Sequence, residues 1–402
     1  MRKNFWIIVL LVLTTYGGFL TGEGKLKWSF ANYKPAVIYN RETPRTLNAD
    51  FAMFWQVWDK LNEEYVDKAA LDPEKMVDGA ISGMVGSLDD PYTVYLPPQQ
   101  NKDAKDDLNG AFEGVGIQLG FKDKALSVVT PIAGTPADKA GVKSGDLILH
   151  IKDEIKKIDK DTTGMTLPEA VNIIRGKKGT EVELTLGREG EEKPMVIKLQ
   201  RETIVIKSAT VEIKDGVAIL KLNKFGDRTQ EEWTNAVDQI ASLPVGQLKG
   251  VVLDMRFNPG GYLDGAVWIA GEFLPAGKLV VSQQYGDGSK FDNKVSRIGR
   301  LLKTPLVVVV NEGSASAAEI LAGALRDHNR AKIVGVKTFG KGSVQQPEDF
   351  DNGAGIHITV AKWLRPNGDW IDKIGIKPDV EVKMDEKDES NDLQLKKALD
   401  LL

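Results

Sequence analysis

Three short segments of the chain put polar residues directly after apolar, strand-like runs: "LDMRFNPGGYLDGA", "VVVVNEGSASAAEI" and "VGVKTFGKGSVQQ". In open sheets, sites are built at that end of a strand. The second segment leads into a helical pattern, so Ser316 lies at a strand-to-helix turn. The first backbone N–H groups there have no helical partner, and the macrodipole favours negative charge. A hydroxyl in that place can act as a nucleophile in acyl transfer, with the N–H of Ala317 receiving the oxyanion. On these residues alone capping is the commoner use, and Ser314 reads better as a cap or loop hydroxyl. The glycines of "NPGG" let the backbone turn and present the N–H of Gly260 or Gly261 as a second oxyanion donor, although such a run is more often just a turn.

An attacking serine needs a base, and the chain has only three histidines. His328 lies twelve residues beyond Ser316, at the far end of the same predicted helix and roughly 18 Å away by helical rise. His357 alternates with Ile356 and Ile358 in a strand-like run, and His150 falls in a different part of the chain. A Ser-His-Asp arrangement is therefore disfavoured. Lys341, between Gly340 and Gly342 in the third segment, is the better candidate. To accept a proton it must be neutral, so burial has to bring its pKa well below that of an ordinary lysine. The plain alternative is a solvated loop cation. If the chain turns helical after Lys341, Gln345 faces the same side and its amide oxygen can orient the ammonium.

At 402 residues the chain has room for two or three folded units. A net charge of −4 leaves no basic footprint, which argues against nucleic acid as a partner. The absence of cysteine excludes disulfides, thiol catalysis, a lipobox and cysteine zinc sites; with three scattered histidines, neither a metal nor a cofactor is expected. The N-terminus has the form of an export signal, Arg2 and Lys3 followed by an apolar run that weakens after Leu13. Phe5 to Leu20 is 16 residues, short of the roughly 20 that span a bilayer unaided, and no A-x-A cleavage pattern follows. Export across the cytoplasmic membrane is expected, with residues 5–20 kept as an anchor. A cleaved signal would leave a periplasmic or extracellular protein, and a buried N-terminal helix is the alternative without export.

The elements that must position the three segments can be read from periodicity. Phe51, Phe54, Trp55, Trp58, Leu61 and Tyr65 mark one helix, and Met76, Ala80, Ile81, Met84 and Leu88 a second. The aromatic stripe reads as core or as a helix-pairing seam rather than a ligand site. After Gly110, short strand-like runs alternate with Gly/Pro turns around two small helices, one over Pro168–Arg175, and close in a hairpin: a compact α+β module. From Ile204, the near-continuous apolar runs "GVAILKLNKF", "LKGVVLDMRF", "PLVVVV", "AKIVGVKT" and "GAGIHITVAKWL" are separated by helical stretches such as 230–243 and 316–326. That is the pattern of a largely parallel α/β layer structure. A charged linker and a short amphipathic helix carrying Leu393, Leu395, Ala398, Leu399 and Leu402 end the chain.

Together "NEGSASAAEI", "TFGKGSVQ", "LDMRFNPGG" and "ITVAKWLRPNGDWIDKIGIKPDV" resemble the carboxy-terminal processing proteases, or tail-specific peptidases, in motif order and in the 25-residue gap from Ser316 to Lys341. The resemblance begins near Phe51 and includes "LDDPYTVYL" and the small module. It implies an α/β fold: a ClpP/crotonase-like protease core with an inserted α+β PDZ domain and N- and C-terminal helical segments. The divisions expected are 1–22 signal peptide or membrane anchor, 47–105 N-terminal helical region, 110–203 PDZ domain, 204–382 serine-protease core, and 383–402 C-terminal linker and helix. By the same resemblance Ser316 is the nucleophile, Lys341 the general base and Gln345 its support, with Ala317 and Gly260 or Gly261 forming the oxyanion hole. Gly114, Val115, Gly116 and Ile117 match the PDZ carboxylate-binding loop, which would hold a substrate chain end by β-addition. Val171 and Ile174 would line the side-chain pocket, and Arg175 matches an arginine that links a peptide-bound PDZ domain to the active site.

The expected partners are protein or peptide substrates held by their C-termini. A homodimer formed through Phe51–Leu88 and Asp392–Leu402 and a regulatory adaptor are also compatible with the resemblance. Two departures from the family pattern, Phe257 and the extra tryptophans of "KWLRPNGDWID", fall outside the catalytic positions and bear on substrate preference. The competing readings are a PDZ binding scaffold on an inactive core, which the complete Ser316, Lys341 and Gln345 set opposes, and a crotonase-like acyl-CoA enzyme, which fits an exported peptide binder poorly.

Overall fold

The computed structural model describes residues 51–122, 125–385 and 391–402, and before them the paired backbone of β1 (Leu26–Ala31) and β2 (Lys34–Tyr39). The expected export segment and residues 386–390 of the charged linker lie outside the described residues. The chain divides into two compact units, residues 1–77 and 78–402. Among the described residues no helix is long and apolar enough to cross a membrane.

In the first unit, α1 (Ala52–Glu64) carries the aromatic stripe, and none of its residues is buried. Phe54 makes edge and tilted ring contacts with Phe51, Trp55 and Trp58 of its own segment. Among the described residues the stripe is therefore not buried. Helix α2 (Pro73–Gly86) spans the boundary between the units.

The second unit continues with β3 (Val94–Leu96), α3 (Pro98–Leu108) and β4 (Ala111–Gly114). A small module follows: β5 (Ile117–Lys122), β6 (Ala125–Pro131), α4 (Pro136–Lys139), β7 (Leu147–Asp153), β8 (Ile158–Asp161), α5 (Leu167–Ile174), β9 (Glu181–Gly187) and β10 (Met195–Gln200). Its antiparallel sheet runs β10-β9-β7-β6-β5, with β8 on β7, so β5 is an edge strand. Alternate residues of β9 (Val182, Leu184, Leu186) point into a core shared with Leu126, Ile148, Ile151 and Ala170, as the two-residue period of a strand requires. On leaving the module the chain forms β11 (Glu202–Val205), which pairs back on β4 with Glu202 opposite Gly114. The module thus hangs on a two-stranded neck.

The remaining elements are β12 (Ala209–Lys214), β13 (Val217–Leu222), α6 (Thr229–Ala241), β14 (Gly250–Asp254), α7 (Leu263–Phe273), β15 (Leu279–Tyr285), β16 (Lys290–Lys294), β17 (Leu306–Val310), α8 (Ala317–Asp327), β18 (Lys332–Gly335), β19 (Ser343–Asp349), β20 (Gly355–Leu364), β21 (Val380–Glu381) and α9 (Leu393–Leu399). The order β12-β13-β14-β17-β18-β21 makes one sheet, parallel throughout except for the β12–β13 pair. Its central strands are apolar without interruption because both faces are covered. Val251, Leu253, Val308 and Ile333 pack with Trp233, Ile269 and Leu321 of α6, α7 and α8. The intervening Val252, Val307, Val309 and Val334 pack with Leu395 and Ala398 of α9.

One expectation fails here. The run "GAGIHITVAKWL" is not a strand of the parallel layer but β20, the centre of a separate antiparallel sheet with β15, β16, β19 and β3. Residues 356–360 are only half-buried, as suits a sheet with one face open.

Helix α9 is tied to the sheet by Arg256, at the end of β14. Its guanidinium donates to both carboxylate oxygens of Asp254 (2.7 and 2.9 Å) and of Asp392 (2.8 and 2.9 Å). Asp392 also caps α9 by accepting from the Leu395 N–H. Asp392→Ala removes the cap and one Arg256 partner and is expected to lower Tm by roughly 3 to 6 °C, about 1 to 2 kcal/mol. Asp392→Asn keeps a capping oxygen and is expected to give less than half that shift by thermal melting. Equal shifts would show that the cap contributes nothing.

Candidate active site

The strand-to-helix turn after β17 holds both serines, and the structure separates them. Ser314 is fully buried, and its hydroxyl accepts from the Asn311 N–H (2.9 Å) and donates to the Met255 carbonyl (2.8 Å). It is a loop staple with no capacity left for chemistry. Ser316 occupies the N-cap position of α8 with φ of 53° and ψ of −115°, a left-handed conformation costly for any residue with a Cβ. The N–H of Ala317 carries no hydrogen bond among those described, so it stands free at the positive end of the helix.

The Asn258-Pro-Gly-Gly turn after β14 closes on that point. Asn258 is buried; it donates to the Leu222 carbonyl (2.8 Å) and its own carbonyl accepts from the Ala315 N–H (2.9 Å). Gly260 and Gly261 have φ of 100° and 129°. A Cβ on Gly260 would lie 2.8 Å from Ser316 Cβ and 3.0 Å from Ala317 N, so only glycine brings the backbone this close. The Gly260 N–H already donates to Asn258 Oδ1 (2.9 Å), whereas that of Gly261 carries no bond among those described. Gly260 is the residue that approaches Ser316, and the N–H groups of this turn and helix start without a described bond are those of Ala317 and Gly261.

Lys341 is held through its backbone. The Trp363 indole N–H donates to the Lys341 carbonyl (2.9 Å) and that of Trp370 to the Gly342 carbonyl (2.8 Å). Asp372 accepts from the Gly342 N–H (3.1 Å), and the Lys373 N–H donates to the Gly340 carbonyl (2.8 Å). The extra tryptophans therefore reach a candidate catalytic loop, contrary to the expectation that they stand apart from it. The neighbouring glycines leave room for an indole against the chain. Phe257, the other departure, is 61% exposed at the rim of the glycine turn.

The side chain of Lys341 is not a solvated loop cation. Its ammonium lies 4.7 Å from the centre of the Tyr92 ring. Burial lowers its pKa, and the nearby Asp90 carboxylate opposes that shift. No hydrogen bond joins it to Ser316 Oγ or to Gln345 among those described. Gln345 lies in β19 and not in a helix, because the chain leaves the lysine loop to pair with β20. Its amide donates to Ser343 Oγ (2.9 Å) and Thr359 Oγ1 (3.0 Å).

Glu319 binds the nucleophile loop to the lysine loop. It is fully buried, and its carboxylate accepts from four donors. Oε1 takes Thr338 Oγ1 (2.5 Å) and the Gly340 N–H (2.7 Å); Oε2 takes the Ser316 and Lys341 N–H groups (both 2.9 Å). Two bonds to one oxygen put the Ser316 and Lys341 amide nitrogens within about 6 Å of each other. Burial raises the Glu319 pKa, and the four donors oppose the rise. Sequence reasoning missed this residue, although Ser316-x-x-Glu319 before an apolar run has capping-box spacing that could have flagged it.

Residues 216–382 match the profile of peptidase family S41, residues 114–199 that of the PDZ domain, and residues 15–100 that of the N-terminal domain of the activating protease CtpB. The chain is 38% identical over 385 residues to the carboxy-terminal processing protease CtpA of Bacillus subtilis (strain 168), covering 95% of this chain and 77% of that protein. The chain belongs to the carboxy-terminal processing proteases of peptidase family S41. Over 336 residues it is 39% identical to the carboxy-terminal-processing protease of Bartonella bacilliformis, covering 83% of this chain and 75% of that one. The solved photosystem II D1 C-terminal processing protease aligns with a TM-score of 0.53 at 29% identity, over 82% of this chain and 92% of its own. The protease is a serine peptidase with a PDZ domain, and neither the inactive scaffold nor the acyl-CoA enzyme is favoured.

In the PDZ domain of this protease, Gly114 ends β4 and Ile117 begins β5. The Val115 carbonyl accepts from the Ala137 N–H (3.0 Å), and that of Gly116 from the Ile132 N–H (2.9 Å). With its carbonyls turned inward, the loop has N–H groups to offer a carboxylate. Val171 is half-buried, but Ile174 is packed in the domain core, so of the two only Val171 has surface for a ligand. Arg175 stacks on Phe112 (4.5 Å) and donates to Asp107 (3.2 Å) of α3, and no described contact joins it to Ser316 or Lys341.

Proposed function

We propose that this protease cleaves polypeptides near their C-termini by a serine-lysine mechanism, with Ser316 as nucleophile and Lys341 as general base. The observation that carries the reading is the shared Glu319 carboxylate, which binds both backbones beside the free Ala317 N–H. Ser316 Oγ attacks the scissile carbonyl carbon while its proton passes to neutral Lys341 Nζ. The oxyanion takes the Ala317 N–H and one from the Gly260–Gly261 turn. The Lys341 ammonium then protonates the leaving amine, and water, deprotonated by the same lysine, hydrolyses the acyl-enzyme. Because Nζ lies over Tyr92 here, it must swing towards Ser316 before the first step. Gln345 supports β19 through Ser343 and Thr359 and so acts behind the lysine.

The open edge of β5 and the inward-facing carbonyls of the 114–117 loop support capture of a substrate chain end by β-addition. A cleft of about 600 Å³ between that domain and the core is lined by Gln118, Val129, Arg256, Phe257 and Leu393. Export with residues 5–20 as an anchor rests on the Arg2, Lys3 and apolar pattern, and cell fractionation of a tagged chain tests it. The open aromatic side of α1 favours a homodimer, and a regulatory adaptor fits the same reading.

Incubation with denatured casein tests the chemistry. The parent enzyme is expected to produce fragments and Ser316→Ala none, while both bind a C-terminal peptide equally. Cleavage by Ser316→Ala at the parent rate would overturn the assignment.

A further inference from the structure

We propose that Asp90 and Tyr92 form a receptor for the Lys341 side chain that sets its protonation and its resting position, so that they are positioning residues of the active site. This rests on the serine-lysine reading and assigns a role to the "LDDPYTVYL" segment, which lies more than two hundred residues earlier in the chain.

The geometry is specific. Asp90 Oδ1 accepts from the Tyr92 N–H (3.0 Å) and Oδ2 from Thr93 Oγ1 (2.7 Å), a closed turn that holds the carboxylate and the ring in fixed relation. Thr93 Oγ1 also accepts from the Thr359 N–H (3.0 Å), and the Thr359 hydroxyl accepts from Gln345 (3.0 Å). The turn is therefore bolted to the same β20–β19 framework that leaves the lysine loop. Tyr92 presents its ring to the Lys341 ammonium at 4.7 Å, within the range of a cation–π contact.

Other charged groups surround the lysine, and each is committed elsewhere. Glu319 of α8 is consumed by four donors, and Asp372, before β21, accepts the Gly342 N–H. Burial and the lysine charge lower the pKa of His357 of β20, and the Asp349 carboxylate opposes them. Asp90 is the group that pulls the Lys341 pKa back up against burial. Burial favours the neutral base. The receptor opposes it, favouring an ammonium over Tyr92 until a rise in pH, or a substrate that displaces the side chain, releases it.

The test is the pH profile of kcat/KM on a quenched peptide, measured for the parent and for Asp90→Asn, Tyr92→Leu, Tyr92→Phe and Lys341→Ala. Removing the carboxylate or the ring destabilises the ammonium, so the acid limb should move to lower pH for Asp90→Asn and Tyr92→Leu. On that limb each should retain roughly three- to tenfold more of its own plateau activity than the parent does. Tyr92→Phe keeps the ring and should restore the parent profile, which a merely structural role for the tyrosine would not predict. If Asp90→Asn fails to fold, the Tyr92→Leu and Tyr92→Phe comparison still decides. Parent-like profiles for folded variants, with Lys341→Ala inactive, would overturn the receptor and leave the dyad standing. Activity in Lys341→Ala with the parent profile would instead overturn the serine-lysine reading, and the receptor with it.

Discussion

Lys341→Ala is expected to lower kcat/KM by about 10³-fold or more while leaving Tm unchanged or higher. A positioned general base contributes about 10²- to 10⁴-fold, and residues of one catalytic unit fail together. The stability side follows from linkage. Burial depresses the Lys341 pKa, so between its folded and unfolded values the unfolded chain binds the extra proton and stability climbs with pH. Below the folded value both states are charged and the native state carries the full cost of the buried ammonium, only partly offset by Asp90 and Tyr92. Alanine removes that cost near neutrality, and the advantage shrinks as the pH rises. In the parent, activity should climb with pH until the lysine is deprotonated, below the range of an ordinary lysine. Paired melting curves and initial rates check both halves; a variant that keeps cleaving with a conventional pH profile would sink the lysine as base.

Glu319→Gln should be nearly as damaging although it changes almost no volume. Each carboxylate oxygen accepts two donors, so an amide nitrogen at the Oε2 end faces the Ser316 and Lys341 N–H groups, and at the Oε1 end the Gly340 N–H and the Thr338 hydroxyl. An orphaned buried donor costs about 1 to 3 kcal/mol, and the Gln orphans one or two of them depending on its orientation. A fall in Tm of roughly 5 to 15 °C is expected. The larger effect is on rate: with the bridge between the Ser316 and Lys341 loops weakened, kcat should fall by at least about 10²-fold with a smaller change in KM. The pH dependence has the opposite sense to that of Lys341. Burial raises the Glu319 pKa, so the stability this group contributes is complete below its unfolded value and declines as the pH rises through the folded one. In Glu319→Gln that decline should be absent from Tm measured across mildly acidic pH. If Glu319→Gln matched the parent in rate and Tm, the bridge would have no function.

What could be read beforehand follows the range of the interactions. Val251–Leu253 and Val307–Val310 announce a sheet covered on both faces because each strand carries its own apolar signal. Lys341 stands out because it lies between two glycines after such a strand, and Ser316 because it falls at a strand-to-helix turn. Glu319, Asp90 and Tyr92 were not legible as a group, since their roles arise only when segments far apart in the chain meet. Gln345 could be set beside Lys341 only on the condition of a helix there, because spacing alone cannot tell a four-residue helical step from a strand that pairs with a distant partner. The assignment of β20 to the parallel layer failed for a related reason: an apolar run shows that it is covered, not by which sheet it is claimed. The aromatic stripe of α1 was clear as a helix face, but nothing in its period says whether the covering surface belongs to the same chain.

The neck formed by β4 and β11 makes recognition separable from chemistry. Gly114 and Glu202 are cross-strand neighbours, so residues 115–201 leave the core and return to almost the same place. To the framework that holds Ser316 and Lys341, this detour is equivalent to a hairpin turn. A different domain with closely spaced ends, or a short loop, would satisfy the same two strands. Evolution can therefore rewrite what the inserted domain binds without renegotiating how the core cuts.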